Sequence, residues 1–158
     1  TVLPSGRSTR VKEIVTYDGK LQTAFAPQSV ILTLEDEIDI SRGDMLVKSD
    51  KQAPKVGKEF EAMLCWLAEA PLDRQRKYLV KHTTRSAKCL FSRIDYRVDV
   101  NTLEQHQVEK LNMNDIARVA IKTQLPLVFD SYATDRATGS FIVIDEVSNN
   151  TVAAGMIV

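Results

Sequence analysis

The residues that could carry chemistry in this chain are few: His82, His106, Cys65, Cys89 and a scatter of six glycines among 158 residues. A nucleotide-hydrolysing site needs a glycine-rich loop ending in Lys and then Ser or Thr, because backbone amides must cradle phosphate at a helix start. Gly57-Lys58 is the nearest approach, but no glycine lies five residues earlier and Glu59 replaces the hydroxyl ligand. The two histidines are far apart, the cysteines lack the Cys-x-x-Cys spacing of a zinc site, and no Gly-x-Ser-x-Gly elbow is present. Each histidine reads as a surface residue. Cys65 sits beside Trp66 in an apolar run and Cys89 beside Leu90, so both read as buried free thiols. No catalytic, cofactor-binding or metal-binding residue is expected in this chain.

Two short motifs have bland readings. Arg42-Gly43-Asp44 spells an adhesion tripeptide but precedes a short β-prone run; it reads as a turn in which glycine supplies backbone freedom and Asp44 bonds neighbouring amides. Asn149-Asn150-Thr151 matches a glycosylation sequon, yet it falls at a turn between two β-rich runs. A third group, Arg93, Asp95 and Arg97, alternates with apolar residues and reads as a solvated cross-strand ladder, or as a grip on a partner.

Composition narrows the class. With 44% hydrophobic and 27% charged residues, the chain is an ordinary globular one of one large or two small domains. Its apolar runs fall far short of the ~20 residues needed to cross a bilayer, and Thr1 to Gly6 do not form a signal peptide, so a cytoplasmic setting without membrane contact is expected. Basic and acidic residues balance at 21 each, which argues against a surface that lives on nucleic-acid phosphate contacts.

The elements that position these residues are strands. Val11 to Val15, Tyr17-Asp18-Gly19-Lys20 and Leu21 to Phe25 read as a hairpin. Ser29 to Leu34 reads as a strand apolar on both faces, and Met45 to Val47 as a short one. Lys48 to Lys58 are polar and mark a boundary. From Phe60 to Ala68 the period is two, with both faces largely buried; the competing helix lacks a 3.6-residue stripe. Tyr78 to Lys81 and Ala87 to Val100 follow, the latter with Leu90, Ile94, Tyr96 and Val98 on one side. Asp99 to Gln105 allows a short helical turn capped by Asn101 or Thr102. Leu111 to Asp115 is a turn, Ile116 to Thr123 a strand with Ala117, Val119 and Ile121 on one side, and Asp130 to Thr138 a loop. Two β-rich runs, Arg136 to Asp145 and Thr151 to Ile157, flank Ser148-Asn149-Asn150 and form the closing hairpin.

The order of these motifs resembles the C-terminal half of translation-factor-like GTPases, and within them the family of GTPase subunits of bacterial sulfate adenylyltransferases. The resemblance rests on Val2-Leu3-Pro4-Ser5-Gly6, Tyr17-Asp18-Gly19, Glu37 to Asp44, Trp66-Leu67-Ala68-Glu69-Ala70-Pro71-Leu72, Tyr96 to Leu103, Leu111 to Ile116, Phe129-Asp130-Ser131-Tyr132 and the closing hairpin. It implies an all-β fold of two small antiparallel β-barrels of translation-factor type, the first truncated. Residues 1–49 would be the second half of a domain-2-like barrel and 50–158 the C-terminal, domain-3-like barrel. The resemblance further implies a non-catalytic region of a subunit that couples GTP hydrolysis to ATP-dependent activation of sulfate to adenylyl sulfate. GTP and Mg would bind in an N-terminal GTPase domain of the parent, and the partners would be that domain and a small catalytic subunit. Candidate contacts are Arg93, Asp95, Arg97, Asp135 and Arg136. The open edge of the half-barrel would pack against the second domain or swap strands with another copy. Rival readings are the tRNA-binding barrel region of an elongation factor and a flavin-binding β-barrel.

Overall fold

The computed structural model describes residues 1–158, and it contains no helix, hence none long and apolar enough to cross a membrane. Twelve strands form three sheets. In the first segment β1 (Val2–Leu3) pairs with β5 (Met45–Leu46), while β2 (Val11–Thr16) lies between β3 (Gly19–Leu21) and β4 (Ile31–Leu34). The second segment comprises β6 (Lys55–Trp66), β7 (Tyr78–His82), β8 (Arg85–Val98), β9 (Gln105–His106), β10 (Ile116–Phe129), β11 (Ser140–Ile144) and β12 (Thr151–Ile157). Its strand order is β10-β6-β12-β11-β7-β8, and β8 pairs again with β10, so six antiparallel strands close into a barrel with β9 appended to β8. The translation-factor-type barrel expected from the sequence is present.

Alternation fills the interior. On β6, Phe60, Ala62, Leu64 and Trp66 are buried, and on β10 Ala117, Val119 and Ile121 join them in one core. At one end Trp66, Tyr78 and Phe91 meet edge to face, with centroids 5.7 to 6.2 Å apart, a geometry that sets ring edges against π faces. The Trp66 indole N–H donates to the Ala70 carbonyl at 2.8 Å, which satisfies its one polar group and pins the chain leaving β6. At the other end Phe60 packs on Phe129 and Phe141 at 5.5 and 5.3 Å. Gly155 stands opposite Phe141 in the β11–β12 ladder, and a Cβ there would lie 2.4 Å from the ring.

Several expectations change. His82 is not a surface residue: it is 1% exposed, and its Nε2 donates to the Thr138 carbonyl at 2.7 Å. A carbonyl only accepts, so Nε2 carries the proton, and this bond ties β7 to the loop before β11. Cys89 is buried and its thiol is pushed up to about 12 by that burial, whereas Cys65 is only half-buried, on the outer side of β6. Alternation on β6 is likewise one-sided, since Glu61, Met63 and Cys65 are half-buried. The strand itself begins at Lys55, inside the polar stretch, because Lys55, Val56 and Gly57 pair with Phe129, Val128 and Leu127.

On β8, two register shifts against β10 skip Ser92 and Asp95. The inward set is therefore Ala87, Cys89 and Phe91 and then Ile94, so Leu90 faces the opposite way from Ile94. No helical turn forms after Asp99. Its carboxylate instead accepts the amides of Asn101 and Thr102 at 2.8 and 3.1 Å, an Asx turn that holds its pKa below the usual range. The strand expected through Phe25 stops at Leu21, since Gln28 caps the Phe25 amide at 3.1 Å and turns the chain. The run through Leu34 is not sealed on both faces: β4 is an edge strand and Ile31 is 65% exposed.

Two expected outcomes follow from these contacts. Gly155→Ala should cost about 1–3 kcal/mol in urea unfolding, as an added methyl must displace the Phe141 ring; an unchanged midpoint would show that the ring yields freely. In the turn before β12, Asp145 accepts the Val147 amide, the Ser148 hydroxyl and the Arg76 guanidinium. These hold its carboxyl below the usual range, the Val147 amide foremost. A depressed folded pKa stabilises above the unfolded value and is lost as pH falls through the folded one. Asp145→Asn should therefore melt below the parent at about pH 7, and the gap should begin to narrow only as the pH falls below the ordinary aspartate value of about 3.9, when the parent's carboxyl starts to protonate.

Candidate partner-binding surface

The outer face of the barrel carries a charge network that the strand registers assemble. Glu61 on β6 and Arg93 on β8 both stand opposite Ala120 of β10. Because alanine is small, Arg93 reaches over it to Glu61 at 2.8 Å, and Ala120 is 2% exposed beneath that bridge. Arg93 also pairs with Asp95, and Arg118 of β10 bonds the second Glu61 oxygen at 2.6 Å and lies 3.8 Å from Asp95. Two cations and two anions thus neutralise one another. The pairing with Arg118 holds the Glu61 carboxyl below its usual range, while Asp95 and Glu61 raise the Arg93 and Arg118 guanidiniums respectively. Glu61, Arg93 and Arg118 therefore hold their charges more firmly than free side chains do.

The structure divides the sequence-predicted residues. Arg93 and Asp95 belong to this network, but the bulge at Asp95 sets Arg97 opposite the fully buried Ala117, where it bonds Asp115 at 3.4 Å. In the loop before β11, Asp135 folds inward on its own backbone, accepting the amides of Ala137 and Thr138 at 2.8 and 3.3 Å. Gly139 follows, and a Cβ there would lie 2.4 Å from the Tyr132 backbone, so only glycine lets the two passes of the loop meet. Arg136 makes no salt bridge; its guanidinium lies 5.9 Å from the Tyr132 ring centroid, a cation–π arrangement. Glu61 and Arg118 were not singled out from the sequence. Alternation places both outward, but only the ladder shows that they meet.

Beside Tyr132 lies an open, largely apolar groove of about 680 Å³, lined in part by Met63, Cys65, Ile116, Ile142, Ala154 and Met156, with Lys81 and Thr83 also on its wall. These are outward positions of β6, β10, β11 and β12, which makes the groove a feature of the sheet exterior. His82, His106 and the cysteines do not assemble: no group of three or more His, Cys, Asp or Glu side chains is placed to share a metal ion. The Arg42-Gly43-Asp44 turn has a packing role. Asp44 accepts the Ser41 amide at 2.9 Å and pairs with Arg85 at 3.2 Å, which joins the first segment to the β7–β8 turn. Arg85 also reaches the Gly43 carbonyl at 3.4 Å.

Relatives and structural neighbours agree with this architecture. Sulfate adenylyltransferase subunit 1 of Bacteroides fragilis is 51% identical over 156 residues, and that of Alteromonas mediterranea 49% identical over 158. A bifunctional enzyme CysN/CysC of Mycobacterium tuberculosis is 46% identical over 158 residues. Between 99% and 100% of this chain is covered, but only 33% of either subunit 1 and 26% of the bifunctional enzyme, so the chain spans a third or less of these relatives. Among solved structures, sup35 complexed with GDP superposes with a TM-score of 0.87 at 17% identity, covering 99% of this chain and 39% of that one, which is a likeness of fold. Residues 59–158 match the family described as GTP-eEF1A C-terminal domain-like, and the chain belongs to that family.

Proposed function

We propose that this chain is the non-catalytic barrel region of the GTPase subunit of a sulfate adenylyltransferase, which couples GTP hydrolysis to ATP-dependent formation of adenylyl sulfate. The observation that carries the reading is an identity near one half, sustained from end to end, with subunit 1 of such enzymes. In the parent, GTP and Mg belong to an N-terminal domain, and a small catalytic subunit performs the adenylyl transfer. Residues 1–49 form the second half of a domain-2-like barrel and 50–158 the domain-3-like barrel. Coupling of this kind needs parts that move as units between two arrangements. A closed barrel with aromatic clusters at both ends suits the role of such a rigid part.

Of the candidate contacts, Arg136 is the best placed to meet the small subunit. Arg93 and Asp95 are already neutralised within the network, Arg97 is engaged by Asp115, and Asp135 is spent on its own loop. Arg136 alone offers an uncommitted charge, beside an aromatic ring and an apolar groove, the mixture found at interface anchors. Arg136→Glu in the full-length parent, co-expressed with its small subunit, should weaken the complex on the order of tenfold and lower GTP-dependent adenylyl sulfate formation alongside. Arg97→Glu should do less. Retention of both affinity and GTP coupling in every charge-reversed variant would remove the contact assignment. Absence of GTP-stimulated adenylyl sulfate formation by the unaltered parent complex would remove the function.

A further inference from the structure

We propose that the surface where β7, β8 and β10 adjoin is a binding site for a phosphate-chain anion of two or more phosphoryl groups, with Lys77, Lys88 and Lys122 as its cationic ligands. The three lysines surround one concavity of about 460 Å³, whose wall is completed by Cys89, Leu90, Thr123 and Gln124 and contains no carboxylate. Register brings them together: Lys122 stands opposite Leu90, Thr123 opposite Cys89, and Cys89 opposite Tyr78, the residue after Lys77.

The hollow has a backbone cause. β10 leaves the β6 ladder between Lys122 and Leu127, and its ladder with β8 ends at Thr123. Gln124, Leu125 and Pro126 therefore pair with neither strand, and the Thr123 hydroxyl, buried and within 2.7 Å of the Leu125 carbonyl, fixes the bend. Gln124, whose side-chain amide can donate, also lines the hollow.

Charge points to the ligand class. The chain is neutral overall, so three ammonium groups around one hollow are not a by-product of a basic surface. Elsewhere Arg76, Arg85, Arg97 and Arg118 each hold a carboxylate. Lys77 and Lys122 hold none, and Lys88 is met only by Glu146, at 3.0 Å, from outside the lining. Like charges gathered in a concavity raise the local concentration of anions. Lysine is a compact charge with three rotatable donors on a flexible stem, suited to an irregular chain of phosphoryl oxygens. A diphosphate or longer chain spreads its charge over several tetrahedral groups and can face Lys77 just before β7, Lys88 on β8 and Lys122 on β10 at once. A single phosphate or sulfate offers fewer charged oxygens to the three ammonium groups. Free pyrophosphate and the tail of a nucleotide share this chemistry.

The site is independent of the functional reading above, and its test needs no activity. The 158-residue chain is titrated with inorganic pyrophosphate at low salt, and backbone amide shifts are followed by NMR. The expected result is saturable binding with shifts centred on Lys88 and on residues 122 to 125, weakened by salt. The K77Q/K122Q double variant should bind on the order of tenfold more weakly. K12Q, a neutralisation on β2, should leave affinity unchanged. E146Q should tighten binding by about twofold to threefold by releasing Lys88, and orthophosphate and sulfate should bind less well than pyrophosphate. With ATP and adenosine as further probes, equal binding of ATP and pyrophosphate without adenosine binding assigns the phosphate chain alone, whereas tighter binding of ATP assigns a nucleotide. Absence of saturable shifts at these amides, equal losses in K12Q and K77Q/K122Q, or equal affinity for sulfate would overturn the proposal.

Discussion

The rest of the structure depends on the second partner of β10. With β6 on one side and β8 on the other, this strand turns a six-stranded sheet into a closed wall and leaves no edge in it. Closure demands that long strands bend, and β8 bends at Ser92 and Asp95, the residues its ladder with β10 skips. Neither bulge leaves its polar groups idle: the Ser92 hydroxyl donates to the Ala120 carbonyl at 3.1 Å, the Arg74 guanidinium takes the Ser92 carbonyl, and Asp95 meets Arg93. Core packing, the outward charge network and the lysine-lined hollow all take their positions from that one pairing.

Much of this was legible because a strand half-buried on one side writes itself with a period of two. The Phe60 to Trp66 strand and the closing hairpin around Asn149 carry that signature plainly, and a left-handed Asn149, at φ 58°, sits where the Ser-Asn-Asn turn was read. A bulge has no such signature. Nothing in the residue types of Ser92 or Asp95 announces that the phase reverses, so unbroken alternation groups Leu90 with Ile94 and Arg97 with Arg93. His82 escapes a sequence reading for a related reason: a buried polar side chain is possible once a carbonyl such as that of Thr138 accepts from it, and that partner lies 56 residues away. The charge network was half visible, since alternation directs Glu61 and Arg118 outward but their meeting is a property of register. In the first segment, short strands, an exposed Ile31 on edge strand β4 and an exposed Phe25 in the turn after β3 give weaker patterns than the barrel does.

The charges on the barrel wall also bear on how such a part would work. Glu61 is held ionised by Arg118, and Arg93 by Asp95, so protonation near neutrality does not switch this face. The first segment meets the barrel through Arg85, which grips the Gly43-Asp44 turn, and no strand of the first segment adds to the barrel sheet. The proposed role as a rigid part would draw on that fixed interior, neutralised flank and single polar attachment.

Ala120 shows how an inert side chain can govern an electrostatic pattern. It sits in the middle row of three strands, and the width of a single methyl decides whether the cation on one side can touch the anion on the other. A valine in its place would act as a wedge, parting opposite charges that would then each recruit water or a foreign counter-charge. The stickiness of this flank is thus set by a residue that carries no charge of its own.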